Sequence, residues 1–368
     1  MRSSRALVAG MFAARWWMVA AVPVLKDIPS PVVTETEQSR TYFSVAKAAY
    51  GQVEYAACSG TVVSKELPAN SNDVPSGVVF AWTGRGPFVL EVSNACDFSG
   101  EDTRVERTDE QQLTLFNFFA DTTYYWRVSD VMGSWSRVGI FKTAPGIRQI
   151  RGGQLRNVRD IGGWTGLRQG MVYRGSAWRY DAKNGEVGPS AETMRVYRDI
   201  LHIRTDIDLR EDALPLKTND VDVTLFGARR VVCGVSATTN DLFGAQRNFV
   251  KPLRLLADSK NYPVYIHCSG GADRTGAVIF LIEAICGVSD IDKEIDFEST
   301  THASIFDIRK RCNRTDEKTF QYGTVYDTFQ KYPGRTLNEK VAYYARTALG
   351  LTDAEIGAIR SILINTTK

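Results

Sequence analysis

The 368-residue chain carries 45 Lys and Arg against 42 Asp and Glu, for a net charge of +3, and 43% of its side chains are hydrophobic. That length favours two domains, and the apolar content is ample for two cores. The balanced charge, with no basic run interleaved with aromatics, gives no support for a nucleic-acid partner, and three histidines without a Cys-x-x-Cys pair offer no metal-ligand spacing.

At the N-terminus, Arg2 and Arg5 precede an apolar run from Ala6 to Ala14, and a second run from Trp16 to Leu25 follows Arg15. The pattern reads as a signal peptide with an interrupted apolar region and a cleavage point near Ala20 and Ala21. Export, to the periplasm or beyond the cell, is therefore expected, with a cytosolic leader as the alternative. Arg15 breaks the continuous span of ~18 residues that a membrane helix needs. Residues 1–41 are read as leader and linker.

From Tyr42 to Pro145, short alternating runs are punctuated by turn residues: Gly77 to Trp82 (GVVFAW), Phe88 to Ser93 (FVLEVS) and Thr123 to Val128 (TYYWRV). Period two with frequent turns predicts an antiparallel β-sandwich over 42–145. Trp82 is placed as a core aromatic, Tyr124 as a corner tyrosine and Phe141 to Pro145 as the closing strand. This stretch resembles a fibronectin type III domain. Such a sandwich implies spacing, docking, or protein or glycan contact rather than chemistry. Cys58 and Cys96 could pair within it, and that pairing stays open because sequence does not give their separation.

Beyond residue 146, helical and strand patterns alternate and predict an α/β domain with a largely parallel central sheet flanked by helices. Ala191 to His202 reads as a helix feeding the strand Ile203 to Leu209, and Asn248 to Asp258 as a helix before the strand that ends at Cys268. Asp208 and Arg210 end a strand, where either an active-site projection or an internal ion pair accounts for them. The acidic run Asp290, Asp292, Glu294, Asp296 and Glu298 is expected to form a solvated helical face. Leu337 to Leu349 and Asp353 to Ile364 are expected to be paired helices packed on the core.

The chemistry concentrates in Val264 to Gly276 (VYIHCSGGADRTG), an apolar strand-like run that empties into a glycine loop closed by an arginine. Five residues separate Cys268 from Arg274, so a tight loop brings the guanidinium back over the sulfur. Its inward amides, from Ser269, Gly270, Gly271, Ala272, Asp273 and Arg274, make an oxyanion nest. A cysteine attacks phosphorus as the thiolate, whose formation amides, a helix N-terminus and a cation all favour. Arg274 supplies a planar fork for two phosphoryl oxygens, and Thr275 a hydroxyl for the thiolate. His267 is the supporting residue that precedes the nucleophile. Thr275 to Cys286 is an apolar helix stopped by Gly287, which puts the loop at a strand-to-helix junction.

The sequence HCSGGADRTG resembles the signature of the cysteine-dependent protein tyrosine phosphatase superfamily, and the chain from Ile147 onward is similar to its bacterial branch with lipid-phosphatase character. Asn157 to Gly163 (NVRDIGG), Gly170 to Ser176 (GMVYRGS) and Arg204 to Arg210 (RTDIDLR) resemble that branch's opening segment and central strand. For Asn157, Arg159 and Asp160, structural roles are the simpler reading, since Asp beside glycines forms turns. The resemblance implies a phosphomonoesterase without a cofactor, acting on phosphorylated protein or phosphoinositide. Ala272 departs from the branch, whose members often carry lysine there, and this counts against polyphosphorylated inositides. No Trp-Pro-Asp acid loop occurs. Asp273 is therefore the candidate general acid, as in relatives with an acid inside the loop, and Asp241, in a glycine-bounded loop, is the reserve. Two competing readings are a phosphate-recognition protein whose sandwich is the interaction module, and a rhodanese-type sulfurtransferase. The intact Cys268, Asp273 and Arg274 argue against the first, and the Cys-x5-Arg-Thr-Gly closure against the second.

Overall fold

The computed structural model describes residues 22–37, 39–40, 44, 75–100, 102–153, 155–177, 180–181, 185–186, 190–210, 227–235, 246–302 and 322–365. The expected leader through residue 21, Cys58, Cys312 and the reserve acid Asp241 lie outside them. Two compact units form, one from 22–27, 80–113 and 125–140 and the other from the remaining described residues. Among the described residues, no helix is long and apolar enough to cross a membrane.

The β-rich region forms two sheets. One has the order β1 (Val24–Leu25), β2 (Val78–Thr83), β5 (Gln112–Leu115); the other has β4 (Arg104–Thr108), β3 (Phe88–Ser93), β6 (Thr123–Ser129), β7 (Gly139–Lys142). β3 pairs antiparallel with both β4 and β6. The period-two pattern is visible in burial, which alternates along β2, β3 and β6, as a sheet with one covered face requires. In the first unit Phe80 of β2 meets Trp126 of β6 edge to face at 5.2 Å, and Trp82 meets Phe88 at 5.6 Å. In the second unit the Tyr124 hydroxyl accepts a hydrogen bond from the Phe119 amide at 2.9 Å, and its ring stacks on Phe141 at 5.4 Å. Cys96 is exposed and free.

The rest of the second unit is built on a five-stranded sheet of order β13 (Arg229–Val232), β12 (Thr205–Asp208), β14 (Val264–Cys268), β9 (Val172–Ser176), β8 (Arg159–Asp160). Three of its four pairings are parallel, and β8 runs antiparallel to β9 at one edge. A short hairpin of β10 (Tyr180–Asp181) and β11 (Gly185–Glu186) stands apart from this sheet. β9, β12 and β14 are buried at every position, as expected of parallel strands covered on both faces.

Seven helices follow among the described residues: α1 (Ala191–Arg195), α2 (Gln246–Leu256), α3 (Asp273–Ile285), α4 (Asp290–Glu298), α5 (Tyr322–Gln330), α6 (Leu337–Thr347) and α7 (Asp353–Leu363). The helix expected over 191–202 is a single α-turn capped by Ser190 that continues as a π-helix through Val196–Ile200. The paired C-terminal helices each begin with a capping box, Thr336 with Glu339 and Thr352 with Glu355, which satisfies the first free amides. From Thr275 onward α3 is buried on every side; α4, α6 and α7 all pack against it.

The acidic run is not a solvated face. Glu294, Asp296 and Glu298 of α4 are buried, while Asp290 and Asp292 stay partly exposed. Positions two apart on a helix point about 200° from one another, so acids at every second position encircle α4 and some must enter the core.

Candidate active site

β14 carries Val264, Tyr265, Ile266 and His267 through the middle of the sheet and delivers Cys268 at its carboxyl end, 4% exposed. The chain turns through Ser269, Gly270, Gly271 and Ala272 and enters α3 at Asp273. Gly271 is obligatory here. Its φ is +67°, and a Cβ would stand 2.2 Å from the Gly175 carbonyl oxygen, so both the dihedral and the close backbone approach require glycine. Asp273 and Arg274 are half-buried at the first turn of the helix, and Arg274 Nη2 donates to Ser269 Oγ at 3.2 Å. The site thus lies at a helix N-terminus, where the macrodipole favours an anion.

The Cys268 thiol is held below its ordinary pKa. Burial acts against this, but the Thr275 hydroxyl, the Arg274 charge and the Thr275 amide outweigh burial and the opposing charge of Asp273. The Thr275 Oγ is buried and spends no hydrogen bond on another group, so its hydroxyl remains for the sulfur, and a thiolate accepts where a thiol does so weakly. Among the described residues, the other two buried or half-buried cysteines, Cys233 and Cys286, are pushed up to about 12 by burial. All three are free thiols, so chemical poise singles out Cys268.

His267 sits beneath the nucleophile. Its Nδ1 lies 3.3 Å from the Cys268 carbonyl oxygen, while Nε2 faces Asp206 Oδ1 at 2.9 Å. Against the effect of burial, Asp206 and Asp208 together raise the His267 pKa. Asp208 and Arg210 form the internal ion pair, a two-pronged one, with Arg210 Nε and Nη2 within 2.8–3.2 Å of the carboxylate. Arg230 also donates to Asp208. These contacts and the nearby His267 overcome burial and hold Asp208 well below the usual carboxylate range.

The opening motif splits into two jobs. Asp160 is the turn former: its carboxylate accepts from the Gly162 and Gly170 amides at 2.9 and 2.6 Å and pairs with Arg148 at 3.1 Å. Asn157 and Arg159 instead reach the cysteine loop. Asn157 Nδ2 donates to the carbonyls of Gly270 and Gly271 at 3.2 and 3.0 Å and to Thr300 Oγ at 3.2 Å. Arg159 donates to Asn157 Oδ1 at 2.5 Å and to Asp296 Oδ1 at 2.8 Å. Arg174, on β9, joins Asp296 in an ion pair and donates to the Gly271 carbonyl at 2.9 Å. These bonds tie the Gly270 and Gly271 carbonyls to Asn157 and Arg174, and the N–H of each of those peptides points the opposite way from its C=O. The sequence reading gave no site role to Asp296 or Thr300, and it carried Arg174 only as a member of the GMVYRGS motif. The signal available for Asp296 was its alternate-position spacing within a helix.

Residues 150–365 match the model of the tyrosine phosphatase family. Among solved structures, the chain is similar to the core catalytic domain of the PP-IP phosphatase SIW14 from S. cerevisiae in complex with citrate. Identity is 18%, with 37% of this chain and 76% of that one covered and a TM-score of 0.28. P. aeruginosa TpbA in complex with pTyr is similar at 18% identity, with 43% and 84% covered and a TM-score of 0.26. A second TpbA structure gives 15% identity, 58% and 99% coverage and a TM-score of 0.27. With more than half of its length matched by the family model, this chain belongs to the tyrosine phosphatase family and is a phosphatase-type hydrolase.

Proposed function

We propose that this protein hydrolyses phosphomonoesters through a cysteinyl-phosphate intermediate formed on Cys268. The observation that carries the reading is the placement of Cys268, buried at the carboxyl end of β14 and followed by a four-residue turn into the N-terminus of α3, with Arg274 folded back onto Ser269. The thiolate attacks phosphorus, an S–P bond forms and the P–O bond to the leaving group breaks. Arg274 and the amides of residues 269–274 hold the equatorial oxygens. Asp273, one residue before Arg274, gives its proton to the departing oxygen. Water then attacks the phosphocysteine and returns a proton to Asp273, releasing inorganic phosphate and restoring the thiolate. No step of this route calls on a metal or organic cofactor.

The substrate we favour is a singly phosphorylated aryl ester such as protein phosphotyrosine. Ala272, which stands where the resemblance leads one to expect lysine, is buried and apolar, so the loop lacks the further cation that a second phosphate would engage. The N-terminal β-rich region is read as a fibronectin type III-like sandwich. Support for this comes from the Phe80–Trp126 contact and the Tyr124 corner, and its role would be to contact protein or glycan. A panel of phosphopeptides, phosphoinositides and aryl phosphates, run on the wild type and on Asp273→Asn, tests the assignment. A loss concentrated on poor leaving groups supports Asp273 as the acid, and a uniform loss removes it. Preferential turnover of polyphosphoinositides would overturn the substrate assignment.

A further inference from the structure

Two chains of contacts leave the cysteine loop and meet at one carboxylate that touches no part of the loop. The first runs from the Gly271 and Ala272 carbonyls, at 2.9 and 3.5 Å, to Arg174 Nη2 and through its guanidinium to Asp296 Oδ2. The second runs from the Gly270 and Gly271 carbonyls to the Asn157 amide, from Asn157 Oδ1 to Arg159, and from Arg159 Nε to Asp296 Oδ1. The Asp296 main-chain carbonyl accepts from Arg159 as well. We propose that Asp296 is a positioning residue for the reaction: through Arg174, and through Arg159 and Asn157, it fixes the loop carbonyls outward and so keeps the amides aimed at the phosphoryl group. This rests on the reading of residues 268–274 as the phosphate cradle.

Three observations favour this over a pair that merely stabilises the interior. Both chains end on the same Gly271 carbonyl, at the glycine whose φ is +67°, so they act on the residue that shapes the turn. Asn157 sits at φ +58°, a left-handed conformation that asparagine tolerates, and from there its amide reaches both loop carbonyls and Thr300. The charge placement is also asymmetric. Arg159, Arg174 and Asp296 are at most 3% exposed, and Glu283 of α3 lies in the same interior, with its Oε1 unpartnered. Burial, then the Asp296 charge, push Glu283 far above the usual carboxylate range. Arg159 and Arg174 overcome burial to hold Asp296 below it. Asp296, not Glu283, is the carboxylate that both guanidinium groups share, and it anchors both of them.

The test uses the full chain and two readouts, the dissociation constant for inorganic phosphate by calorimetry and the kcat and KM for p-nitrophenyl phosphate. Asp296→Asn keeps the volume and removes the charge. It is expected to weaken phosphate binding and raise KM together by about tenfold or more, the scale of a lost charge-assisted hydrogen bond. Glu283→Gln, which changes the same interior without touching either chain of contacts, is expected to keep phosphate affinity within about twofold. Wild-type phosphate affinity in a folded Asp296→Asn protein would overturn the inference, as would an equal loss in Glu283→Gln. Should Asp296→Asn fail to fold, Asn157→Ala decides: weakened phosphate binding supports the relay and unchanged binding overturns it. Failure of the parent reading looks different, because wild-type protein would then bind no phosphate at all.

Discussion

The imidazole Nε2 of His267 lies 2.9 Å from Oδ1 of Asp206, with both side chains almost wholly buried. Burial alone would strip the proton from this ring, yet Asp206 and Asp208 more than reverse that, against a smaller opposing effect of Arg210, and the His267 pKa is raised. A base whose folded pKa exceeds its unfolded one stabilises the fold fully below the unfolded value, about 6.5, and loses that contribution as pH rises through the folded value. Urea unfolding of wild type and His267→Asn at increasing pH is expected to show a stability gap that is widest in mild acid and narrows in base. A gap independent of pH would contradict the assignment.

Thr275 is expected to set the Cys268 thiolate. A hydrogen bond to a charged group contributes about 1.5–3 kcal/mol, which corresponds to about one to two pKa units. Thr275→Val keeps the shape and removes the hydroxyl, so the midpoint of the pH dependence of Cys268 alkylation by iodoacetamide should rise by that amount. An unmoved midpoint would mean that Arg274 and the amides lower the thiol pKa on their own.

Gly271→Ala should be severe. The new methyl would meet the Gly175 carbonyl, a backbone atom that cannot swing away, at a φ of +67°. Roughly 2 kcal/mol or more of destabilisation is expected, read from the urea midpoint, with p-nitrophenyl phosphate turnover falling in parallel.

In the β-rich region, Tyr124→Phe keeps the ring against Phe118 and Phe141 but removes the acceptor of the Phe119 amide. A loss of about 1–2 kcal/mol is expected in denaturant unfolding, and no change would show that the corner hydroxyl carries no weight.

The loop was legible because its residues encode local geometry. The apolar run of β14, the glycines, and an apolar helix stopped at Gly287 each specify one step of a strand-to-helix turn. The alternation along β2, β3 and β6 was legible for the same reason, since period two maps directly onto one covered face. What failed to appear was long-range. Nothing near Asp296 in sequence points to Arg159 or Arg174, more than a hundred residues away, and only the packing of α4 on α3 and the edge pairing of β8 with β9 bring them together. Asn157 and Arg159 were visible as motif members, but their target was not. Local pattern gives turns, and here the turn belongs to Asp160 alone.

The central claim is that Cys268 is the nucleophile of phosphomonoester hydrolysis. The most direct measurement is p-nitrophenyl phosphate turnover by Cys268→Ser, alongside its binding of inorganic phosphate and its unfolding transition. Turnover should vanish while phosphate binding and the fold persist, because serine fits the cradle but supplies no thiolate. Turnover at the wild-type rate in a folded Cys268→Ser protein would contradict the account.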